Sequence, residues 1–250
     1  MIDCRNPYTP GDGAMPKYLP GRNDILEAAS LQIEALAANY QSRSLVLYGL
    51  RGVGKTALLN SIESIAETEG VLVRHIVVEE NKGLIAPLAS ACCSLSVSLN
   101  RIKLVKSKLE QIKNLFASLT LSVDVDDCPL SLGFNEETLG VSLASSRNLS
   151  GDFTDAFVVL GKYAQAAGSS IFIGIDELQY ASKEELEALA CALHRATQLG
   201  LPVMFGCAGL PKLLKMLGDA KTYSERQFSF FKVDSPPRDK AVKNDLHRCP

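Results

Sequence analysis

The sequence predicts an α/β fold, a mainly parallel sheet with helices on both faces that together make a three-layer α/β/α sandwich. Three observations carry this expectation. Short, β-branched apolar runs alternate with longer segments whose apolar residues recur at helical spacing. A glycine-rich turn from Gly49 to Thr56 joins the first apolar run to the helix that follows it. A later apolar run, Ile171 to Ile175, ends directly in Asp176-Glu177. Parallel neighbours need crossover connections, and the alternation supplies a helix between strands.

Taken in order, residues 1–20 hold Pro7, Pro10, Gly11, Gly13, Pro16 and Pro20 and read as an irregular lead-in. Asn23 or Asp24 caps a helix running to about Tyr40, with Ile25, Leu26, Ala29, Ile33, Leu36 and Ala37 on one face. Ser44 to Tyr48 is the first strand, and the helix after the glycine-rich turn ends near Gly70. Val71 to Val78 reads as a second buried strand. Lys82 to Leu119 is helical, with a break near Ser98–Asn100. Beyond that break Ile102, Val105, Leu109, Ile112, Leu115, Phe116 and Leu119 form an apolar stripe. Arg101, Lys103, Lys106, Lys108 and Lys113 then make a solvated basic face in preference to a nucleic-acid surface.

Residues 120–147 alternate at Leu121, Val123, Val125 and again at Leu139, Val141, Leu143, which predicts a β-hairpin insertion. Asp124, Asp126 and Asp127 lack the glycine and terminal glutamate of a calcium loop and read as solvated acids. Phe153 to Ala167 is a helix, with Gly151-Asp152 at its start and Gly168 at its end. Ile171 to Ile175 is a third strand. Lys183 to Leu199 is a helix, with Glu184, Glu185 and Glu187 early and His194 and Arg195 late, as the helix dipole favours. Pro202 to Cys207 is a fourth strand, and a short helix follows Gly209-Leu-Pro211.

The bulk properties exclude several classes. At 250 residues the chain can bury one substantial core, and 46% hydrophobic with 22% charged residues is ordinary globular composition. A net charge of −2 gives no global attraction to nucleic acid or to an acidic membrane. No apolar run is long enough to span a bilayer, and the N-terminus lacks the regions of a signal peptide. The seven cysteines include no C-x-x-C pair, and Cys92-Cys93, Cys191 and Cys207 lie in apolar stretches, so a reducing, cytoplasmic setting is expected. His75, His194 and His247 are scattered and suggest no His/Cys metal site.

The chemistry concentrates in two motifs. Gly49-Leu50-Arg51-Gly52-Val53-Gly54-Lys55-Thr56 fits G-x-x-x-x-G-K-[ST], the phosphate loop, in its required setting between a strand and a helix. The glycines let backbone N–H groups curl around an anion, and the helix adds its unpaired N–H groups and positive dipole end. Lys55 would reach the β- and γ-phosphates of ATP, and Thr56 would put its hydroxyl on Mg²⁺. Asp176, at the end of a buried strand, would hold the Mg²⁺ shell, and Glu177 would polarise a water for in-line attack on the γ-phosphate. Two motifs in this order, with an extra strand between them, predict a P-loop NTPase of the additional-strand kind. A kinase would not need Glu177, and no Asn-Lys-x-Asp guanine-reading motif is present. Leu149-Ser-Gly-Asp152 sits where an ABC-transporter signature would, but lacks its Gly-Gln and reads as a helix cap.

Together Tyr18-Leu-Pro-Gly-Arg22, Gly49–Thr56, Ile175-Asp-Glu-Leu-Gln-Tyr180, Leu193-His-Arg195, Leu201-Pro-Val203, Gly209-Leu-Pro211 and Ala220-Lys-Thr-Tyr-Ser-Glu-Arg226 resemble bacterial AAA-type ATP-binding proteins. The similarity is to their origin-recognition-like branch, near the STAND ATPases. It covers roughly residues 5–235 and implies an ATPase core over residues 21–233, usually followed by a helical lid and often by a winged-helix DNA-binding segment. It also implies that Arg22 lies near the adenine and ribose; a plain turn before the helix is the other reading of Pro20-Gly-Arg22. Two departures stand out. The end of the fourth strand, where this class often carries a polar γ-phosphate sensor, holds Cys207, a weak hydrogen-bonding group. Residues 234–250, after or around Pro236-Pro237, are expected to be the truncated start of a lid, with no complete lid domain. Arg195 and Arg226 are candidates for a finger acting on a neighbouring subunit's nucleotide, with a surface salt bridge as the ordinary alternative.

Two functions follow from these residues. In the first, the chain binds MgATP, hydrolyses it and signals nucleotide state to a protein partner or a second copy. In the second, it binds ATP without turnover and acts as a switch or remnant through protein interaction. Direct DNA binding by Lys232 to Arg248 is disfavoured by the interleaved Asp234, Asp239 and Asp245, which leaves DNA contact to a further C-terminal domain.

Overall fold

The computed structural model describes residues 21–102, 149–220 and 224–234. In chain order the elements are α1 (Asn23–Ala37), β1 (Ser44–Tyr48), α2 (Lys55–Thr68), β2 (Leu72–Val77), α3 (Ile85–Ile102) and α4 (Leu149–Ala167). Then come β3 (Ile171–Asp176), a 3₁₀ turn (Leu178–Tyr180), α5 (Lys183–Gln198), β4 (Val203–Gly209), α6 (Lys212–Ala220), α7 (Ser224–Gln227) and β5 (Phe228–Lys232). The five strands form one sheet in the order β2-β3-β4-β1-β5, and every neighbouring pair is parallel. The expected hairpin at 120–147, the basic stripe beyond Ile102, the lead-in 1–20 and the lid start from 235 lie outside the described residues.

Strand periodicity divides the core into two layers. Leu45 and Leu47 of β1, Phe172 of β3 and Met204 and Ala208 of β4 face a cluster with Ala29, Ile33 and Leu36 of α1 and Leu58, Leu59 and Ile62 of α2. Val46, Ile173, Ile175, Phe205 and Cys207 face the other way, against α3, α4, α5 and α6. There Phe153 and Phe157 of α4 stack on each other at 5.9 Å, and Phe157 stacks on Phe205 of β4 at 5.1 Å. This is the three-layer arrangement that the alternation of elements predicts.

Several details depart from expectation for local reasons. Among the described residues β2 is an edge strand with half-buried alternation, not a buried strand, with Arg74 turned to α3 and His75 to α2. Helix α3 runs unbroken through Ser98, because Arg74 donates to Ser94 Oγ and to Ser98 Oγ, each at 3.0 Å, and so anchors the helix to β2. Helix α4 starts at Leu149, so Ser150-Gly151-Asp152 lie inside its first turn instead of capping it. α1 has no side-chain cap from Asn23 or Asp24 and ends at Ala37, short of Tyr40. Ser182 and Glu185 form a capping box on α5. Glu185 Oε1 also accepts the N–H groups of Leu84 and Ile85, at 2.6 and 3.1 Å, at the start of α3. β5 was not expected; the Phe228-Ser-Phe-Phe run, with no turn residue before it, gave only a short aromatic signal.

One polar contact fixes α2 against the sheet. Glu63 of α2 reaches over Gly174 of β3 and meets His75 Nδ1 of β2 at 2.7 Å. A Cβ on Gly174 would lie 1.7 Å from Glu63 Oε1, so the glycine makes room for this pair. The hydrogen bond to Glu63 raises the His75 pKa above its ordinary 6.5; burial opposes this, and the charges of Glu63 and Asp176 add to it. A raised folded value stabilises the protein below the unfolded pKa, and that stability is lost as pH rises through the folded value. Urea unfolding should therefore show a larger gap between wild type and His75→Gln at about pH 6 than at about pH 9. A gap that is equal at both, or wider at the higher pH, contradicts the assignment.

Candidate functional site

Both motifs emerge at the C-terminal end of the sheet, the β1 loop on one side of β4 and the β3 acids on the other. In open parallel sheets this is where ligands bind. Gly52 and Gly54 take left-handed φ values of 76° and 87°, which only glycine adopts at little cost, and so turn the loop's N–H groups inward. Gly49 is held by its N–H to Gly209 O at 3.2 Å, and the carbonyl of Val233 lies where a Cβ on Gly49 would be. Leu50 is exposed, as is Arg51, which donates to Tyr180 Oη at 2.9 Å. Lys55 and Thr56 open α2.

Lys55 is 7% exposed, yet its only hydrogen bond among the described residues is to Leu50 O, at 2.8 Å. Burial lowers its pKa; Glu177 and Asp176 oppose that, and Arg51 adds to it. An ammonium group has three donors, so this buried cation is under-satisfied at the centre of the loop. Thr56 Oγ1 donates to Asp176 Oδ2 at 2.6 Å, across 120 residues of sequence. A hydroxyl and a carboxylate brought together are hard oxygen donors of the type Mg²⁺ takes, and the loop with its free lysine donors fits a polyphosphate. The residues present therefore fit a polyphosphate with its Mg²⁺.

Glu177 follows with φ of 55°, left-handed and unusual for a side chain of this kind. Its N–H donates to Asp176 Oδ1 at 2.8 Å, and its carboxylate accepts from Gln179 Nε2. The two acids thus point different ways from adjacent residues, one toward Thr56 and one toward Gln179.

Arg22 does not stand free to meet a base. Its guanidinium is buried and donates to Val53 O at 3.2 Å and to Asp234 O. Burial lowers its pKa, with Asp234 opposing. The side chain therefore ties the phosphate loop to the segment leaving β5. Cys207 is fully buried in the core, and burial pushes its thiol far up, so it offers nothing to a phosphate. Arg195, near the end of α5, and Arg226, just before β5, are exposed at the opposite end of the sheet from the loop. Neither belongs to this chain's own site. Sequence reasoning passed over Gln179 and Tyr180 as site residues; their only signal was a polar pair one residue beyond Asp176-Glu177, after Leu178, which looks like an ordinary turn.

The sequence profile described as the AAA ATPase domain matches residues 18–205. The chain belongs to the AAA ATPase domain family. No curated protein sequence matches it. Among solved structures, Cdc6p from Pyrobaculum aerophilum is similar with a TM-score of 0.51 at 12% identity, covering 95% of this chain and 51% of that one. Orc1 from Aeropyrum pernix, solved in complex with DNA, is similar with a TM-score of 0.51 at 16% identity, covering 93% and 50%. At such identities the likeness is one of fold, and this AAA ATPase domain chain spans about half the length of those relatives. The expected additional-strand arrangement is present, with β4 between β1 and β3.

Replacing Arg22 by Met keeps the apolar stem and removes both carbonyl contacts. Hydrogen bonds from a charged donor contribute about 1.5–3 kcal/mol, so Arg22→Met should lower unfolding stability by about that amount. An unchanged denaturation midpoint would show that the tether is idle.

Proposed function

We propose that this AAA ATPase domain binds MgATP on the Gly49–Thr56 loop and hydrolyses it to ADP and phosphate. The observation that carries the reading is the Thr56–Asp176 hydrogen bond, which joins the two motifs into one site. Backbone N–H groups from Leu50 to Gly54 and the start of α2 receive the phosphates, and Lys55 turns from Leu50 O to the β- and γ-oxygens. Mg²⁺ held by Thr56 and Asp176 would neutralise charge on the β- and γ-oxygens. Glu177 accepts a proton from the attacking water as its oxygen bonds to the γ-phosphorus and the bond to the bridging oxygen breaks. Arg22 acts by holding Val53, and thereby the loop, in place of a direct contact with adenine.

Over residues 21–233, taken as the ATPase domain, the cycle is coupled to a protein partner or a second copy, whose site Arg195 or Arg226 would enter. In this reading the setting is cytoplasmic and the chain stands near the STAND ATPases. DNA contact, seen for the Aeropyrum pernix Orc1, would fall to a segment outside that domain. Among the described residues no helix is long and apolar enough to cross a membrane. A second reading, an ATP-binding switch with little turnover, is favoured by the buried Cys207 where a polar sensor is common.

Phosphate release by the purified chain separates the two. Lys55→Ala should lose nucleotide binding, whereas Glu177→Gln should bind normally and turn over about 100-fold more slowly than wild type. Equal release from wild type and both variants rules out hydrolysis at this site. Tight binding with no release from wild type supports the switch.

A further inference from the structure

The second acid of the site is held by a buried amide. Gln179 is 2% exposed, although glutamine is mostly a surface residue. Its Nε2 donates to Glu177 Oε2, and its Oε1 accepts the Leu210 N–H at 2.9 Å. Leu210 directly follows β4, so one side chain connects the acid to the turn that leads into α6. Gly209 provides the space: a Cβ there would lie 2.7 Å from Gln179 Oε1 and 2.8 Å from Leu213 Cδ2. The 3₁₀ turn, closed by Tyr180 N–H to Glu177 O at 3.0 Å, brings Gln179 back over Glu177.

Nothing else at the end of β4 can do this. Its last residues are Gly206, Cys207, Ala208 and Gly209, and the one side-chain heteroatom, the Cys207 sulfur, faces the core. Among the described residues the Gln179 amide makes the only side-chain hydrogen bond to the Glu177 carboxylate. Tyr180, next in the turn, repeats the pattern at the rim: it accepts from Arg51 of the loop and has Lys212 of α6 over its ring at 5.8 Å. A buried amide bonded at both ends is costly to leave half-satisfied, so release at one end loosens the other.

We propose that Gln179 is a positioning residue, holding the Glu177 carboxylate and tying its position to the β4–α6 turn, in place of a polar side chain on β4. Its effect on turnover rests on the ATPase reading; the link between Glu177 and Leu210 does not. Gln179→Met removes both hydrogen bonds at nearly constant volume. Gln179→Glu keeps an acceptor for the Leu210 N–H and sets a second carboxylate against Glu177 in place of the donor, so it opposes the positioning contact while the link to the turn is kept.

Both variants should lower the single-turnover hydrolysis rate by about tenfold or more while MgATP affinity stays within about threefold of wild type. Rates within about threefold of wild type in both variants overturn the proposal, and so does a parallel loss of affinity and rate, which marks a structural role. In the nucleotide-free chain, Glu177→Ala should speed hydrogen exchange at the Leu210 amide by about tenfold, because Gln179 loses its other anchor. Unaltered exchange there overturns the link. If wild type releases no more phosphate than Glu177→Gln, the hydrolysis reading fails, and the Leu210 exchange decides the link alone.

Discussion

The site depends on one constraint, the parallel register of β1, β4 and β3 with β4 in the middle. Leu45 to Tyr48 of β1 pair with Gly206 to Gly209 of β4, and Ile171 to Ile175 of β3 pair with Val203 to Cys207. All three strands therefore end together, and that brings Thr56 and Asp176 within 2.6 Å. A hydrogen bond to a charged group contributes about 1.5–3 kcal/mol, comparable to burying a single Leu or Phe side chain. The sheet between its two buried layers involves many such side chains, so packing sets the site and the hydrogen bond reports its geometry.

Close approach is what lets the layers hold the motifs in place. A side chain at Gly206 would put a Cβ 2.3 Å from Cζ of Phe172, and one at Gly174 would displace Glu63 from His75. Both glycines lie under α2, the helix whose first turn carries Lys55 and Thr56. Arg22 and the Val233 carbonyl press on the loop from the other side, at Val53 and Gly49. The loop is thus fixed by contacts from α1's approach, from β4 and from the exit of β5, none of which belongs to the phosphate motif itself.

Much of this was legible in the sequence where a local pattern forces a local geometry. Gly49–Thr56 between a strand and a helix, and Ile171–Ile175 ending in Asp176-Glu177, pointed to the fold class and to Thr56 and Asp176, which the structure brings together, because spacing alone carries that pattern. What escaped depends on the third dimension. β2 looked buried because Val71, Val73, Ile76 and Val78 are apolar, but edge position is a property of strand order. β5 escaped because four aromatic-rich residues have no period long enough to read. Arg22 turned out to hold backbone carbonyls, and Gln179 to accept the Leu210 N–H, because hydrogen-bond partners 212 and 31 residues away leave no local trace.

The central claim is that the loop and the β3 acid form one site for a magnesium nucleotide. Calorimetric titration of ATP into the chain, with and without Mg²⁺, tests it most directly when wild type is set beside Asp176→Asn. The structure predicts that Mg²⁺ tightens ATP binding to wild type and that this gain is lost in Asp176→Asn, with metal-free binding retained in both. The same Mg²⁺ dependence in both proteins, or no ATP binding by wild type, would contradict the account.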